Sequence, residues 1–437
     1  MRKLIMAIAV MSLAGTSFAA VENIKVSGGI SAEAIMRDLG LSRDIQDNDD
    51  EFLISQISLR FDADLTEGVS AVLRLLSQET WGEDNADDME IDLGYIELKE
   101  FLYQPLTLIV GKQNLRYGSG LVVGDPDTNQ GNPNDPVTGL PAVATDLSMR
   151  KSFDAVKAIL DFAPWTVDLV FAQIDENTTA ARWDDEQLYG LNAAYDWSSY
   201  NGVTELYLFG GNKAPRSAVT IATNSYEDYV GVIGSRVQFD PNDNWTLGLE
   251  GAYQFGKFYA SFADQDSINA YAGILNVDYR FLNDYNAKLG FKYTHLSGDN
   301  TATDGTHEGW QEMWEDQSPG GELTNIFMDN TNARIITLTG SVMPREDITL
   351  GALYSVALVD KKYAATYSPT MGPASANTYV TNDSKMFGQE VDIYAIYDYT
   401  EDVQLKVSSA YFNPGELFNQ NNHLSAMSVR AGVNVDF

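Results

Sequence analysis

Along almost its whole length this chain repeats one pattern: segments of about ten residues alternate apolar and polar side chains, then break at polar turns. A period of two belongs to a β-strand, whose successive side chains point to opposite faces. Leu53, Ile57, Leu59 and Phe61 alternate with Gln56, Ser58, Arg60 and Asp62. Val156, Ala158, Leu160 and Phe162 enclose Lys157 and Asp161, and Leu289, Phe291 and Tyr293 enclose Gly290 and Lys292. Val391, Ile393, Ala395 and Tyr397 alternate with Glu390, Asp392 and Tyr394. Eighteen such segments can be counted, over 23–39, 51–64, 69–80, 88–100, 105–117, 153–162, 165–176, 186–196, 203–213, 228–238, 245–257, 267–280, 286–296, 333–343, 348–360, 387–398, 402–412 and 424–437.

The connections carry a second rhythm. After even-numbered segments they are tight: 65–68, 163–164, 240–244, 282–285, 343–347 and 399–402. After odd-numbered segments they run long: 40–50, 118–152, 214–227, 297–332 and 361–386. Aromatics bracket the tight turns, with Phe101 and Tyr103, Phe162 and Trp165, Trp197 and Tyr200, Phe239 and Trp245, Phe281 and Tyr285, and Tyr397 and Tyr399. Alternating strands, short turns on one side, long loops on the other and an aromatic girdle are the signature of a membrane β-barrel. No stretch after residue 20 reaches the run of about 18 apolar residues that a membrane helix requires. The fold expected is all-β: a transmembrane antiparallel up-and-down barrel of about 18 strands, with short periplasmic turns and long extracellular loops. A secreted sandwich or propeller is the alternative, but neither requires the short–long rhythm. Both chain ends then fall on the periplasmic side.

The termini suit an exported barrel. Arg2 and Lys3 precede an apolar core from Leu4 to Leu13, and Ser17 and Ala19 are small residues two apart. This reads as a signal peptide over 1–19, with a single barrel domain over 20–437. The last segment alternates Val429, Ala431, Val433 and Val435 with Arg430, Gly432, Asn434 and Asp436, then stops on Phe437. A last strand ending in an aromatic resembles the assembly signal of bacterial outer membrane proteins. The partners expected are outer membrane lipid and lipopolysaccharide, the outer membrane assembly machinery and a hydrophilic solute. A net charge of -34 excludes nucleic acid, whose phosphates would be repelled.

A barrel of this size encloses water. Alternation assigns to its lumen the basic residues Arg60, Arg74, Lys157, Arg236, Arg280, Lys288, Lys292, Lys406 and Arg430. Since strand 18 closes beside strand 1, Lys406, Arg430, Arg60 and Arg74 share one stretch of wall, while Arg280, Lys288 and Lys292 form a second group. Such a ladder can select anions, unless interleaved acids such as Asp62 neutralise it. The loop 118–152 is positioned either to constrict the pore or to cover its mouth. Within it Asp125, Asp127 and Asn129 are spaced as in a calcium loop, but Gly131 comes one place late and Pro136 replaces the bidentate Glu. Calcium is thus a candidate ligand only there, a solvated loop is the commoner outcome, and no other cofactor is implied. In the loop 297–332, Trp310 and Trp314 stand among carboxylates, where tryptophans either stack on sugars or pack beneath their own loop. His295, His307 and His423 are the only histidines and have no triad or metal-ligand spacing, so the chain is not read as an enzyme.

One region also resembles a known family. Gly111, Lys112, Gln113, Tyr117 and Gly118, followed by Arg150, Ser152, Phe153, Asp154 and Val156, resemble the alginate-export family of outer membrane porins. There a strand ending Gly-basic-Gln precedes a Tyr-Gly loop, and Arg-Ser-Phe-Asp-Gly opens the next strand. Here Lys151 is inserted after the Arg and Ala155 replaces the Gly. The resemblance implies a barrel passing small or polymeric anionic solutes, in some members an anionic polysaccharide through an arginine-lined pore. It also implies a monomer, with a trimer left open. The alternative is a non-conducting barrel acting as an adhesin or cation-binding surface protein.

Overall fold

Inside hydrocarbon a backbone N–H or C=O finds no water, so a spanning sheet must close on itself. The computed structural model describes residues 23–41, 49–82, 89–126, 145–175, 186–213, 228–259, 265–300, 304–363, 365–368, 378–419 and 423–437. The proposed signal peptide lies outside them. Eighteen strands form the barrel. The first six are β1 (Asn23–Asp38), β2 (Asp49–Thr66), β3 (Val69–Thr80), β4 (Glu90–Leu98), β5 (Leu106–Asn114) and β6 (Ser152–Phe162). Then come β7 (Trp165–Asp175), β8 (Glu186–Trp197), β9 (Gly202–Lys213), β10 (Asp228–Asn242), β11 (Trp245–Tyr259) and β12 (Gln265–Arg280). The last are β13 (Lys288–Leu296), β14 (Ala333–Arg345), β15 (Ile348–Val359), β16 (Met386–Asp398), β17 (Val403–Pro414) and β18 (Ala426–Asp436). Each pairs antiparallel with its neighbours in sequence, and β1 pairs with β18 from Gly29 opposite Asp436 to Asp38 opposite Met427. That last ladder removes the sheet's edges. Phe437 continues it, exchanging backbone hydrogen bonds with Gly28 at 2.9 and 3.0 Å.

The observed strands match the expected ones closely. The largest difference is β10, which runs four residues past its expected end; its register with β11 shifts between Phe239 and Asn242. Four small elements were not legible. Thr306–His307 pairs parallel to β12, Thr366–Tyr367 pairs with Tyr379–Val380, and helix α1 (Glu322–Phe327) lies within the loop after β13. A two-residue bridge or six-residue helix leaves no periodicity to read.

Side-chain parity separates lipid from lumen. Ile24, Val26, Leu73, Val110, Leu169, Leu208, Ile233, Leu249, Leu338, Ile393 and Val407 are all exposed and all on the outer face. A water-soluble surface does not carry a continuous apolar band of this extent. On β14 the outward row reads Arg334, Ile336, Leu338, Gly340 and Val342, and the strand ends at Arg345. The eleven steps from Arg334 to Arg345, at ~3.3 Å each and tilted ~45°, rise ~26 Å, the height expected for the apolar band of such barrels. At the tight-turn end aromatics interlock: Trp165 with Tyr195 at 4.9 Å, Trp245 with Tyr279 at 4.7 Å and Tyr397 with Tyr399 at 6.1 Å.

This sorting predicts that Leu338→Arg, facing mid-bilayer, costs about 2–4 kcal/mol. Thr339→Arg, one residue along on the lumen side, is expected to stay within about 0.5 kcal/mol. Urea unfolding in lipid vesicles compares the two, and equal costs would overturn the assignment of faces.

Candidate functional site

The lumen is not an open tube: the long loops after β5 and β13 fold into it. The first starts from a local pairing. Gly111, Lys112, Gln113 and Asn114 on β5 lie in register with Ala155, Asp154, Phe153 and Ser152 on β6. Gly111 has φ 124, and a Cβ there would collide with the Gly94 carbonyl. Lys112 and Asp154 sit opposite one another with their charged atoms 3.7 Å apart. Gln113 is buried and donates to the Ala155 carbonyl at 3.0 Å. The two halves of the motif therefore form one ladder, which sets the direction in which the chain leaves β5.

From there the loop meets three carboxylates on the lumen wall. The Tyr117 hydroxyl donates to Asp168 on β7 at 3.2 Å. Burial, and secondarily Asp168, raise the hydroxyl's pKa, so it remains a donor. The Gly118 N–H donates to Glu205 on β9 at 3.0 Å, and the Ser119 N–H to Glu250 on β11 at 2.9 Å. Gly118 has φ 60, and any Cβ there would strike the Glu250 carboxylate. Leu115, Leu121, Val122 and Val123 are buried behind these bonds.

The second loop locks onto the first. Val123 bridges Trp314, the Gly124 N–H donates to the Trp314 carbonyl at 2.7 Å, and the Asp316 N–H donates to that of Gly120 at 2.8 Å. Trp310 and Trp314 are 2 % and 0 % exposed, and the Trp314 indole donates to Glu186 at 2.9 Å. Of the two readings, the rings follow the packing one: they are buried beneath their own loop and hold it down. Helix α1 rests on β16, where Glu390 accepts the N–H groups of Leu323 and Thr324 at 2.7 and 2.6 Å.

Space remains around these loops. A cavity of about 520 Å³ is lined by Arg150, Lys151, Lys406 and Arg430 together with several carboxylates. One of about 290 Å³ is lined by Arg116, Lys292 and Asn276. Asp316, Gln317 and Ser318 border both. Asp316 pairs with Arg116, and with Lys151 at 2.5 Å. A third space, about 920 Å³ and near the tight-turn end, is lined by Arg280, Lys288 and Asp278.

The nine basic residues expected in the lumen share the strand parity opposite the exposed apolar row, and Arg280, Lys288, Lys292, Lys406 and Arg430 line cavities, but most of the nine are partnered. Arg60 pairs with Asp62 at 2.7 Å, Arg74 with Asp92, Arg236 with Glu205 at 2.7 Å and Arg430 with Glu33 at 2.6 Å. Lys157 lies within electrostatic range of Asp168, and Arg280 of Asp240. Arg280 and Lys288 are register partners. Among the described residues Lys292 and Lys406 form no ion pair; Lys292 approaches the Ser318 carbonyl at 3.4 Å and lies within electrostatic range of Glu250. Sequence reasoning missed Arg37, Arg116 and Lys151. Arg37, paired with Asp146 at 2.6 Å, shares the parity of Glu33 and was legible on that ground. Arg116 and Lys151 sit on a loop, where no periodicity assigns a face. Of the calcium candidates, Asp127 and Asn129 lie outside the described residues, and Asp125 uses its N–H to reach the Trp314 carbonyl at 3.0 Å. Among the described residues no group of three or more acidic, His or Cys side chains is arranged to hold a metal.

The family model described as alginate export matches residues 18–432. The chain belongs to the alginate export family. No curated protein matches it. Among solved structures it is similar in fold to OccK11 (OpdR) of Pseudomonas aeruginosa, with TM-score 0.59, 12% identity and 97% of this chain aligned to 98% of that one. OpdK of the same organism, solved with vanillate, gives TM-score 0.55 at 11% identity, covering 95% and 99% of the chains. OccK2 (OpdF), also of Pseudomonas aeruginosa and solved with glucuronate, gives 0.56 at 10%, covering 96% and 100%. This alginate export family member is an outer membrane barrel.

If the carboxylate row seats the inward loop, Gly118→Val will unseat it without opening the barrel ladder. Single-channel recordings should then show larger conductance steps while the detergent-resistant folded band persists. Unchanged conductance would show that the loop is held by other means.

Proposed function

We propose that this family member is a passive channel preferring small anionic hydrophilic solutes over intact polysaccharide, with no catalytic step. The observation that carries this reading is the pair Lys292 and Lys406. Each lines a lumen cavity and, among the described residues, is in no ion pair, although Glu250 lies within electrostatic range of Lys292. The carboxylates nearby are otherwise engaged. Asp146 and Asp316 are in ion pairs, and Glu322 accepts from Ser428 at 2.7 Å. Glu312, Glu315 and Asp392 accept backbone N–H groups at 2.8, 2.8 and 3.1 Å. A passing solute thus meets ammonium donors with unspent hydrogen-bonding capacity, the arrangement expected of anion-passing pores.

Size supports the small-solute reading. Two inward loops tied to each other and to opposite walls leave separate spaces of about 520 and 290 Å³, volumes suited to one small molecule. Two of the similar barrels were solved with small carboxylates, vanillate and glucuronate.

In a planar bilayer under a salt gradient, the reversal potential is expected to show modest anion preference. Lys292→Glu together with Lys406→Glu should move it toward cations, whereas Lys99→Glu at a periplasmic turn should not. Liposome swelling should admit glucuronate and exclude polymeric alginate. A cation-selective wild type, or no shift in the double variant, would sink the proposal. Purified barrels that never conduct would favour the surface-display role instead.

A further inference from the structure

The outer face carries one compact group of charges at the long-loop end of β13, β14 and β15. Arg334 projects outward from the start of β14 and pairs with Asp360, just past the end of β15. His295 on β13 is opposite Arg334 in the register, with its Nε2 3.4 Å from the same carboxylate. The Lys385 ammonium donates to the Asp360 carbonyl, and the Lys361 side chain lies close enough to act on His295 electrostatically. Lys362 pairs with Asp383 at 2.7 Å. Arg334, Lys361, Lys362 and Lys385 thus face two acids, a local excess of two positive charges on a chain of net charge -34.

Three features distinguish this group from an ordinary surface ion pair. The first is its level: it sits where the outward apolar row of β14 begins, at the boundary between hydrocarbon and polar headgroups. Tyr271 lies edge-on to His295 at 5.3 Å and is half exposed, as an interfacial aromatic would be. The second is rigidity. Asp360 is 1 % exposed and also accepts the Gly298 N–H at 3.0 Å. Burial works to raise its pKa, but that N–H and the Arg334 guanidinium prevail and hold the carboxyl below the usual carboxylate range. It remains an anion that orients the cations around it. The third is unspent capacity. Although its Nε is buried without a hydrogen-bond partner, the Arg334 side chain as a whole is 43 % exposed. Lys385 is exposed beside it.

We propose that this group binds a phosphate of lipid A in the outer leaflet, with Arg334, Lys361 and Lys385 as donors and Tyr271 and Ile336 against the acyl chains. A guanidinium fork with flanking ammonium groups suits a phosphate's clustered oxygens. Apolar surface immediately below suits a phosphate that is attached to a lipid. The site lies on the opposite face of the wall from the lumen, so it does not depend on which solute the channel passes.

The test uses the full barrel in detergent and measures retention of purified lipid A by native mass spectrometry. Diphosphoryl lipid A should bind more tightly than its fully dephosphorylated form. Combining Lys361→Gln with Lys385→Gln should weaken diphosphoryl binding by at least about tenfold, the scale set by losing even one of the two charge-assisted contacts. Arg334→Lys should weaken it less than Arg334→Gln, and Lys99→Gln at the opposite rim should leave it unchanged. A heat-modifiable folded band checks that each variant is intact. Equal retention of the two lipids, or no effect of the lysine pair in a folded barrel, would overturn the proposal. So would complete competition by millimolar inorganic phosphate, which would show that the lipid portion adds nothing.

Discussion

Everything in this molecule follows from the requirement that a backbone in hydrocarbon satisfy its own hydrogen bonds. Eighteen strands meet that requirement only because β18 returns to β1 in register. Once the ladder closes, strand parity gives every residue one of two solvents. Lipid receives the apolar row, and charge becomes affordable on the other side of a wall one residue thick. The same parity that places Leu338 in lipid puts Thr337 and Thr339 in the lumen.

A wide closed barrel raises a second problem, since a loop folded into its lumen brings backbone N–H groups that the ladder cannot satisfy. The acids of the inner wall answer this directly. Glu205 and Glu250 accept from Gly118 and Ser119, Glu390 accepts from Leu323 and Thr324, and Asp392 accepts from Glu322. Part of the chain's acidity is therefore structural: carboxylates act as fixed acceptors for inward loops. This also explains why counting lumen charges misleads. Arg236 with Glu205 at 2.7 Å is a buttress for the loop seat and leaves no free cation for solute.

The strands and their faces were legible because period-two alternation and turn chemistry are local properties. Even the link between the two halves of the motif, residues 111–114 and 152–155, became a register pairing between adjacent strands. What could not be read was the path of the loops. Nothing local in residues 115–125 says that Tyr117 reaches Asp168 on β7, or that Val123 pairs with Trp314 nearly two hundred residues later. Arg116 and Lys151 acquire meaning only when Asp316 arrives between them. Trp310 and Trp314 show the same limit, since burial depends on what packs above them.

The large negative net charge and the proposed anion preference do not conflict once distance is considered. At physiological ionic strength the screening length is about 8 Å, so exposed loop carboxylates hardly reach the narrow part of the lumen. Inside it the walls exclude much of the water, and nearby charges interact far more strongly than at the rim. Lys292 and Lys406 act at that short range, while the neighbouring acids are tied to loops they support. The proposed preference thus depends on two cations outside ion pairs among many engaged carboxylates, so the discrimination expected is modest and set by the narrow region rather than the mouth.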